Sequence, residues 1–414
     1  MTNGFSKVKL RGVLEERSGI TWGAEQESQT PQPDALPVLT VTNVQETLQT
    51  EPILYIRGVT ERDRERKAAK QGWTIAVGSN GNRARIGNCV FIERDTEYLF
   101  ASFLVGFRPN SDSGIDPEYF YRWMSSYEVQ ARLSASAEGT TGLGNLSSRY
   151  FRNLWIDYPT DPKEQRRITN ALRLVDFAIA AARESIAKAG RLRKGLMQQL
   201  LNGRLKPDGT LRNEADFHSD DRLGLFPKGW KVRKLRQVVR LRNGKSNITS
   251  NLRAEADTTF CYPVFGGNGM TGWSDRYLLD SPTVVLGRVG EYCGVVHRTP
   301  AKAWVTDNAL YASEFPEPID LGFLFYLLSH LQLNRWKAIT GQPKITQGEI
   351  LNIRVAIPNH TDEQAEIAAK VDCVQQLIVA KEQKIAALQR FKKSLMQNLL
   401  TGRIRLPVNR AARG

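Results

Sequence analysis

The sequence predicts an α+β protein with a pseudo-two-fold internal repeat. Two globular blocks, each a mixed β-sheet with helices, are separated by two long antiparallel coiled-coil helices. Three observations carry this reading. The segment from Glu164 to Lys206 returns at Glu363 to Arg405, offset by 199 residues without a gap and with 17 of 43 positions identical. Apolar residues in both copies recur every three or four positions, the spacing of an amphipathic helix with a seam. A length of 414 residues suits two domains better than one core.

The elements follow in chain order: a first block over 1–160, a helix over 161–206, a linker over 207–226, a second block over 227–359, a second helix over 360–406 and a tail over 407–414. The first block is nearly neutral, with 18 basic and 19 acidic residues, so any contact with a polyanion there must come from a local face. Its charged run Glu61–Lys67 reads as a solvated helix or loop. Its polar, basic turn Ser79-Asn80-Gly81-Asn82-Arg83-Ala84-Arg85 follows an apolar stretch ending at Gly78. Pro33-Asp34 with Glu65-Arg66-Lys67 imitates a nuclease pattern, but elements this short arise by chance.

The first helix carries its stripe at Ile168, Leu172, Val175, Ile179, Ala182, Ile186, Ala189, Leu196 and Leu200. The second carries its own at Ile367, Val371, Val374, Ile378, Ile385, Leu388, Leu395 and Leu399. Asp161-Pro162 and Thr361-Asp362 suit N-terminal caps, and Gly203 and Gly402 sit where a helix should stop. Two similar seams in one chain bury each other as an antiparallel pair. Lys206-Pro207-Asp208-Gly209 and the polar stretch to Asp221 read as a linker. Each block closes alike, Asn153-Leu154-Trp-Ile156 with Pro159 matching Asn352-Ile353-Arg-Val355 with Pro358, as an edge strand ending at proline would.

Composition narrows the function. A net charge of +15 and a pI near 9.7 suggest a polyanionic partner. No stretch is apolar enough for a membrane span or a signal peptide, so a cytoplasmic location is expected. Four scattered cysteines and four scattered histidines lack metal-ligand spacing, and neither a metal nor a cofactor is expected. There is no Walker loop for a motor and no Asn/Asp-Pro-Pro-aromatic motif for amino methylation, and no catalytic residue is assigned.

The doubled Glu-Gln…Leu-Met-Gln-x-Leu-Leu-x-Gly-Arg segments, with Tyr262-Pro-Val-Phe-Gly-Gly-Asn-Gly-Met-Thr-Gly-Trp273, Gly287-Arg288-Val289-Gly290 and Trp304-Val-Thr-Asp-Asn308, resemble the specificity subunit of a type I restriction–modification enzyme. The resemblance implies two target-recognition domains that read a bipartite site in double-stranded DNA. It also implies partners, two methyltransferase subunits and, through them, motor–nuclease subunits, with no catalysis by this chain. A stand-alone DNA-binding regulator is the alternative, and a nuclease or methyltransferase with a disguised site a more distant one.

Within that frame, Asn268-Gly269 is expected to form a type I′ hairpin turn that brings Gly267 and Asn268 to DNA. Arg288, flanked by Gly287 and held on a tight turn, suits guanine or phosphate. Lys245-Ser246-Asn247 forms a polar loop after Asn243-Gly244. In the first block Ser79, Asn80, Asn82, Arg83 and Arg85 are the corresponding candidates. The apolar helix ends Leu196, Met197, Leu200, Leu201 and Leu395, Met396, Leu399, Leu400 are the expected seats of the methyltransferase subunits.

Overall fold

The structure is a computed structural model that describes residues 4–139, 142–246, 252–336 and 343–407. It comprises two units. Unit 1 holds residues up to Ala182 together with those from Gln383 on, and unit 2 is Arg183–Glu382.

Unit 1 begins with β1 (Phe5–Lys9), β2 (Leu14–Ser18), β3 (Glu27–Ser28), β4 (Leu36–Leu39), β5 (Leu54–Ile56) and the charged α1 (Glu61–Lys67). It continues through β6 (Thr74–Val77), β7 (Ser79–Asn80), β8 (Cys89–Phe91), β9 (Leu99–Phe100) and β10 (Leu104–Pro109). Helices α2 (Pro117–Met124) and α3 (Tyr127–Ala135), β11 (Gly144–Asn145), α4 (Ser148–Asn153) and β12 (Trp155–Pro159) lead into α5 (Pro162–Leu201). A four-stranded sheet runs β2-β10-β6-β8, a second runs β3-β5-β4-β9, and β7 pairs with β11.

Unit 2 opens with β13 (Phe217–Asp220), β14 (Gly224–Pro227), β15 (Trp230–Lys234), α6 (Leu235–Val238) and β16 (Arg240–Asn243). There follow β17 (Tyr262–Gly266), β18 (Gly269–Ser274), β19 (Thr283–Gly287), β20 (Val296–Thr299), β21 (Trp304–Val305) and β22 (Ala309–Glu314). Helices α7 (Leu321–His330) and α8 (Gln347–Leu351) and β23 (Arg354–Pro358) lead into α9 (Thr361–Leu399). Its sheets run β16-β22-β19-β20 and β18-β17-β21. The four-stranded sheet thus repeats that of unit 1, β2, β10, β6 and β8 standing for β16, β22, β19 and β20. The parallel pair β4·β9 likewise stands for β17·β21.

Both units close in one way. β1 pairs antiparallel with β12 from Phe5↔Pro159 to Lys9↔Trp155, and β15 with β23 from Trp230↔Pro358 to Lys234↔Arg354. The repeated Glu-Gln then locks each closure. Gln165 is fully buried; its amide donates to the carbonyls of Pro159 and Gly114, and its oxygen accepts from Asp116 N, the N-cap of α2. Gln364 donates to Pro358 O and accepts from Asp320 N, the N-cap of α7. Buried amides must be paired, and here one side chain satisfies a strand end and a helix start together.

Each unit takes part of each long helix. In unit 1, Asp176 of α5 pairs with Lys392 of α9 at 2.6 Å; in unit 2, Arg193 of α5 donates to Gln375 of α9. The α9 number falls as the α5 number rises, so the helices run antiparallel. Their stripes are buried or half-buried, Leu172 and Val371 completely. Gly203 and Gly402 take left-handed φ of +67° and +70°, the helix stop expected of glycine. Asp161 caps α5, its carboxylate accepting from Lys163 N at 2.9 Å. The expected Thr361 cap is displaced by one residue: Thr361 is already helical, and Gln364 N reaches back to His360 O.

Two further expectations change. The 207–226 linker contains the β13–β14 hairpin, which is tied back to the sheet by Arg354–Asp220 at 3.0 Å. The helix-end leucines and methionines are core, not a free face. Leu200 and Leu201 are buried with Trp230 and Leu235 in unit 2, with Leu196 and Met197 packed against them. Met396, Leu399 and Leu400 are buried with Tyr119, Phe120 and Ile156 in unit 1, with Leu395 against them. Residues this broadly apolar at a helix end satisfy the hydrophobic effect within the chain first.

Candidate nucleic-acid interface

In unit 2 the segment Trp304–Asn308 is a hub on which three others converge through backbone hydrogen bonds. Lys245 N donates to Val305 O, Thr306 N to Phe265 O, and Arg288 N to Asn308 O, all at 2.9 Å. The indole of Trp304 adds a bond to Lys245 O at 2.9 Å. The approach is close enough to demand glycine. A Cβ on Gly244 would lie 2.1 Å from Thr306 O, and one on Gly287 would lie 2.2 Å from Gly267 O.

The hub gathers most of the candidates expected for this block. Asn268 is exposed at the tip of the β17–β18 hairpin. The turn is not of type I′, which needs two residues of positive φ. It consists of Gly267 and Asn268, and only the following Gly269 is left-handed, at +94°. Arg288 is half exposed and its guanidinium has no ion pair or hydrogen bond among the described residues; its carbonyl accepts from Ile345 N at 2.9 Å. Lys245 and Ser246 are exposed, and Asn247 lies outside the described residues. Sequence reasoning passed over Asp307 and Asn308, exposed on the hub itself, although the quoted Trp-Val-Thr-Asp-Asn motif contained them. Beneath the hairpin, His297 faces Gly269 closely enough that a Cβ there would meet its ring at 2.9 Å, and burial pushes its imidazole below the ordinary value.

Unit 1 repeats the three backbone bonds of this scaffold. Ile20 N donates to Phe100 O, Ala101 N to Leu39 O, and Gly78 N to Phe103 O. Gly19 stands for Gly244, its Cβ position 2.0 Å from Ala101 O. The side chains differ at the corresponding positions. Lys245 is replaced by buried Ile20, Asn308 by exposed Phe103, and Arg288 by Gly78, beside which a cavity of about 200 Å³ opens, lined in part by Ser79, Asn145 and Ser148.

The first-block candidates follow Gly78, at the place where Val289 and Gly290 follow Arg288. Leu146 N bonds Gly78 O as Ile345 N bonds Arg288 O. Most of their polar atoms are engaged locally. Ser79 Oγ donates to Asn145 Oδ1 at 2.6 Å, Asn80 Oδ1 accepts from Asn82 N, and Asn82 Oδ1 accepts from Ala84 N. Arg83 is exposed, with one N–H given to Gly139 O. Arg85 donates to the carbonyls of Val41 and Val44 at 2.7 and 3.0 Å, a pair of bonds that anchors a loop.

Among the described residues no group of three or more His, Cys, Asp or Glu is placed to hold a metal ion, and no helix is long and apolar enough to cross a membrane.

Comparison with known proteins agrees with this geometry. Residues 227–390 match the family described as "Type I restriction modification DNA specificity domain". The type I restriction enzyme MjaVIII specificity subunit of Methanocaldococcus jannaschii is 26% identical over 311 residues, covering 69% of this chain and 70% of that one. The putative type I restriction enzyme MjaX specificity subunit of the same organism is 23% identical over 337 residues, covering 78% and 76%. The crystal structure of the S subunit of a type I restriction–modification system from M. genitalium shares the fold, with a TM-score of 0.61 at 14% identity over 95% of this chain and 96% of that one. With a doubled closure, two hubs on one scaffold and a pair of long helices, the chain is similar over most of its length to specificity subunits of type I restriction–modification systems, and residues 227–390 match the DNA specificity domain of that family.

Proposed function

We propose that this chain reads DNA sequence for a type I restriction–modification complex, each unit reading one half of a bipartite target, while the chemistry resides on partner subunits. The observation that carries this reading is the pair of hubs: identical backbone bonds present Lys245, Asn268, Arg288 and Asn308 in one unit and a different set in the other. A protein that reads two unlike half-sites needs a constant frame and variable side chains. Base contacts specify, whereas phosphate contacts only position, and Arg288 and Asn268 are the residue types that reach guanine and adenine in the major groove. The place of action is the cytoplasm.

The partners of this reading are two methyltransferase subunits, one on each part of the helix pair. Because the helix-end leucines are core, their seats are the exposed apolar residues along the helices. These are Leu174, Phe177 and Phe391 in unit 1, and Leu192, Leu377 and Val379 in unit 2. Leu192 and Phe391 occupy the same position of the repeat.

Co-expression with a methyltransferase subunit, followed by mapping of methylated sites, tests the whole reading. A bipartite methylated sequence that depends on this chain is expected. Methylation with the same sequence preference when this chain is absent overturns it. Within that assay, Phe177→Glu with Phe391→Glu should remove the methyltransferase subunit seated on unit 1 and leave the one on unit 2, without lowering the unfolding temperature, and a full complement of two would rule these residues out.

A further inference from the structure

The connection between β4 and β5 is the counterpart of the Gly267–Asn268 turn between β17 and β18. The match is fixed by pairing: β4 is antiparallel to β5 and parallel to β9, as β17 is antiparallel to β18 and parallel to β21. Ala101 N bonding Leu39 O repeats Thr306 N bonding Phe265 O, and sets the two connections at the same point of the hub. In unit 2 the connection is two residues long. In unit 1 it runs from Thr40 to Ile53 and is itself folded. Val44 bridges Leu48, and fully buried Val44 and nearly buried Asn43 form its base. Asn43 Oδ1 accepts from Thr40 N at 2.8 Å while its amide donates to the carbonyls of Gln49 and Pro52. Gln45, Glu46 and Thr47 stand exposed at the tip.

Arg85 anchors this loop through the carbonyls of Val41 and Val44. In unit 2 the short turn needs no such bond, because Gly267 rests directly on Gly287. The anchored loop also lacks any Lys or Arg between Thr40 and Ile53, whereas a surface that follows phosphates is basic. Its tip carries the groups that pair with base edges: Gln with adenine, Glu with the cytosine amino group, Thr with either.

We propose, resting on the reading of this chain as a two-unit DNA reader, that Gln45, Glu46 and Thr47 read the bases of the first half-site, with Arg85 as the positioning residue that holds their loop. The turn 79–85 takes the supporting place through Arg85.

The test uses the complex of the full chain with its methyltransferase subunits, challenged with a randomised duplex library whose methylated members are sequenced. The triple variant Gln45→Ala, Glu46→Ala, Thr47→Ala should lose discrimination at one or more positions of the first half-site by about ten- to a hundredfold and leave the second untouched. Arg85→Ala should blur the same positions with assembly and the second half-site intact, and Arg85→Lys should restore part of the discrimination. An unchanged first half-site in the triple variant overturns the assignment, as does an equal loss on every sequence, which would make the loop a backbone contact. A first half-site unaltered by Arg85→Ala removes Arg85 from the positioning role. A wild-type complex with no bipartite preference sinks the two-unit reading itself, an outcome distinct from all of these.

Discussion

The two units solve one packing problem with opposite chemistry. Where α2 meets the helices in unit 1, Arg122 is buried between Asp176 and Glu118; Arg173 also binds Glu118, and Lys392 also binds Asp176. At the corresponding turn of α7 in unit 2 stands Tyr326, which donates to Asp372 at 2.5 Å, while Arg298 holds the other oxygen of that carboxylate and covers the rings of Phe325 and Tyr326. By the repeat, Arg173 and Asp372 are the same helix position with reversed charge. The hub makes the same point at the reading end. A frame of backbone bonds tolerates divergence of side chains, whereas a junction between side chains diverges only when both partners change together.

The largest effect that would break this comparison comes from exchanging whole blocks. Replacing residues 227–358 with the corresponding block of another family member should rewrite one half-site completely and spare the other, as read by methylation mapping. A change in both would end the two-unit account. The replaced block should assemble best when it brings a partner for Asp372; one that carries an arginine at the Tyr326 position still satisfies it, and one that carries an acid does not.

Next in size are the junctions themselves. Arg122→Ala leaves two carboxylates without their buried partner and should cost about 3 kcal/mol or more. Tyr326→Phe removes one hydrogen bond to a half-exposed acid and should cost about 1–2 kcal/mol. Denaturant unfolding of the two variants measures the contrast, and equal losses would show that the unit 1 network carries no extra weight.

At the reading end, Arg288→Ala should weaken binding of DNA that bears the second half-site by about ten- to a hundredfold. Uniform weakening on every duplex, with a smaller salt slope, would assign Arg288 to phosphate. No weakening in a folded, assembled protein would mean that its turn faces away from DNA.

The smallest effect separates the units by pH. All four histidines lie in unit 2, and burial lowers the values of His297 and His330 from 6.5. A folded value below the unfolded one favours the neutral ring. Their contribution is therefore complete above about pH 6.5 and declines as pH falls through and below it. Hydrogen exchange between pH 7 and 5.5 should show unit 2 loosening first, and His297→Gln should reduce the difference. Equal loosening of both units would remove the histidines as the cause.

Much of this architecture is legible in the sequence because it is written in side chains. The helix stripes, the left-handed glycines at 203 and 402 and the closing strands at Pro159 and Pro358 all have local signatures. The hub was only half legible. Gly19 and Gly244 share one role, yet their neighbours, Ser18-Gly19-Ile20 and Asn243-Gly244-Lys245, have nothing else in common, since the bonds they permit are made by backbone atoms. The counterpart of the Asn268 turn was hidden for a related reason: a two-residue turn has become a loop of fourteen residues, Thr40–Ile53, and only strand pairing connects them. The leucines at the helix ends misled because an apolar face looks alike in sequence whether it meets its own block or a partner.

The mainly backbone character of the hub has a consequence for inheritance. Substitutions at Lys245, Asn268, Arg288 and Asn308 break none of the main-chain bonds that hold the hub together. On the proposed reading, a lineage can therefore sample new target sequences one codon at a time without passing through unfolded intermediates. Selection can diversify what the protein reads while Gly19 and Gly244, where almost any change is costly, stay fixed.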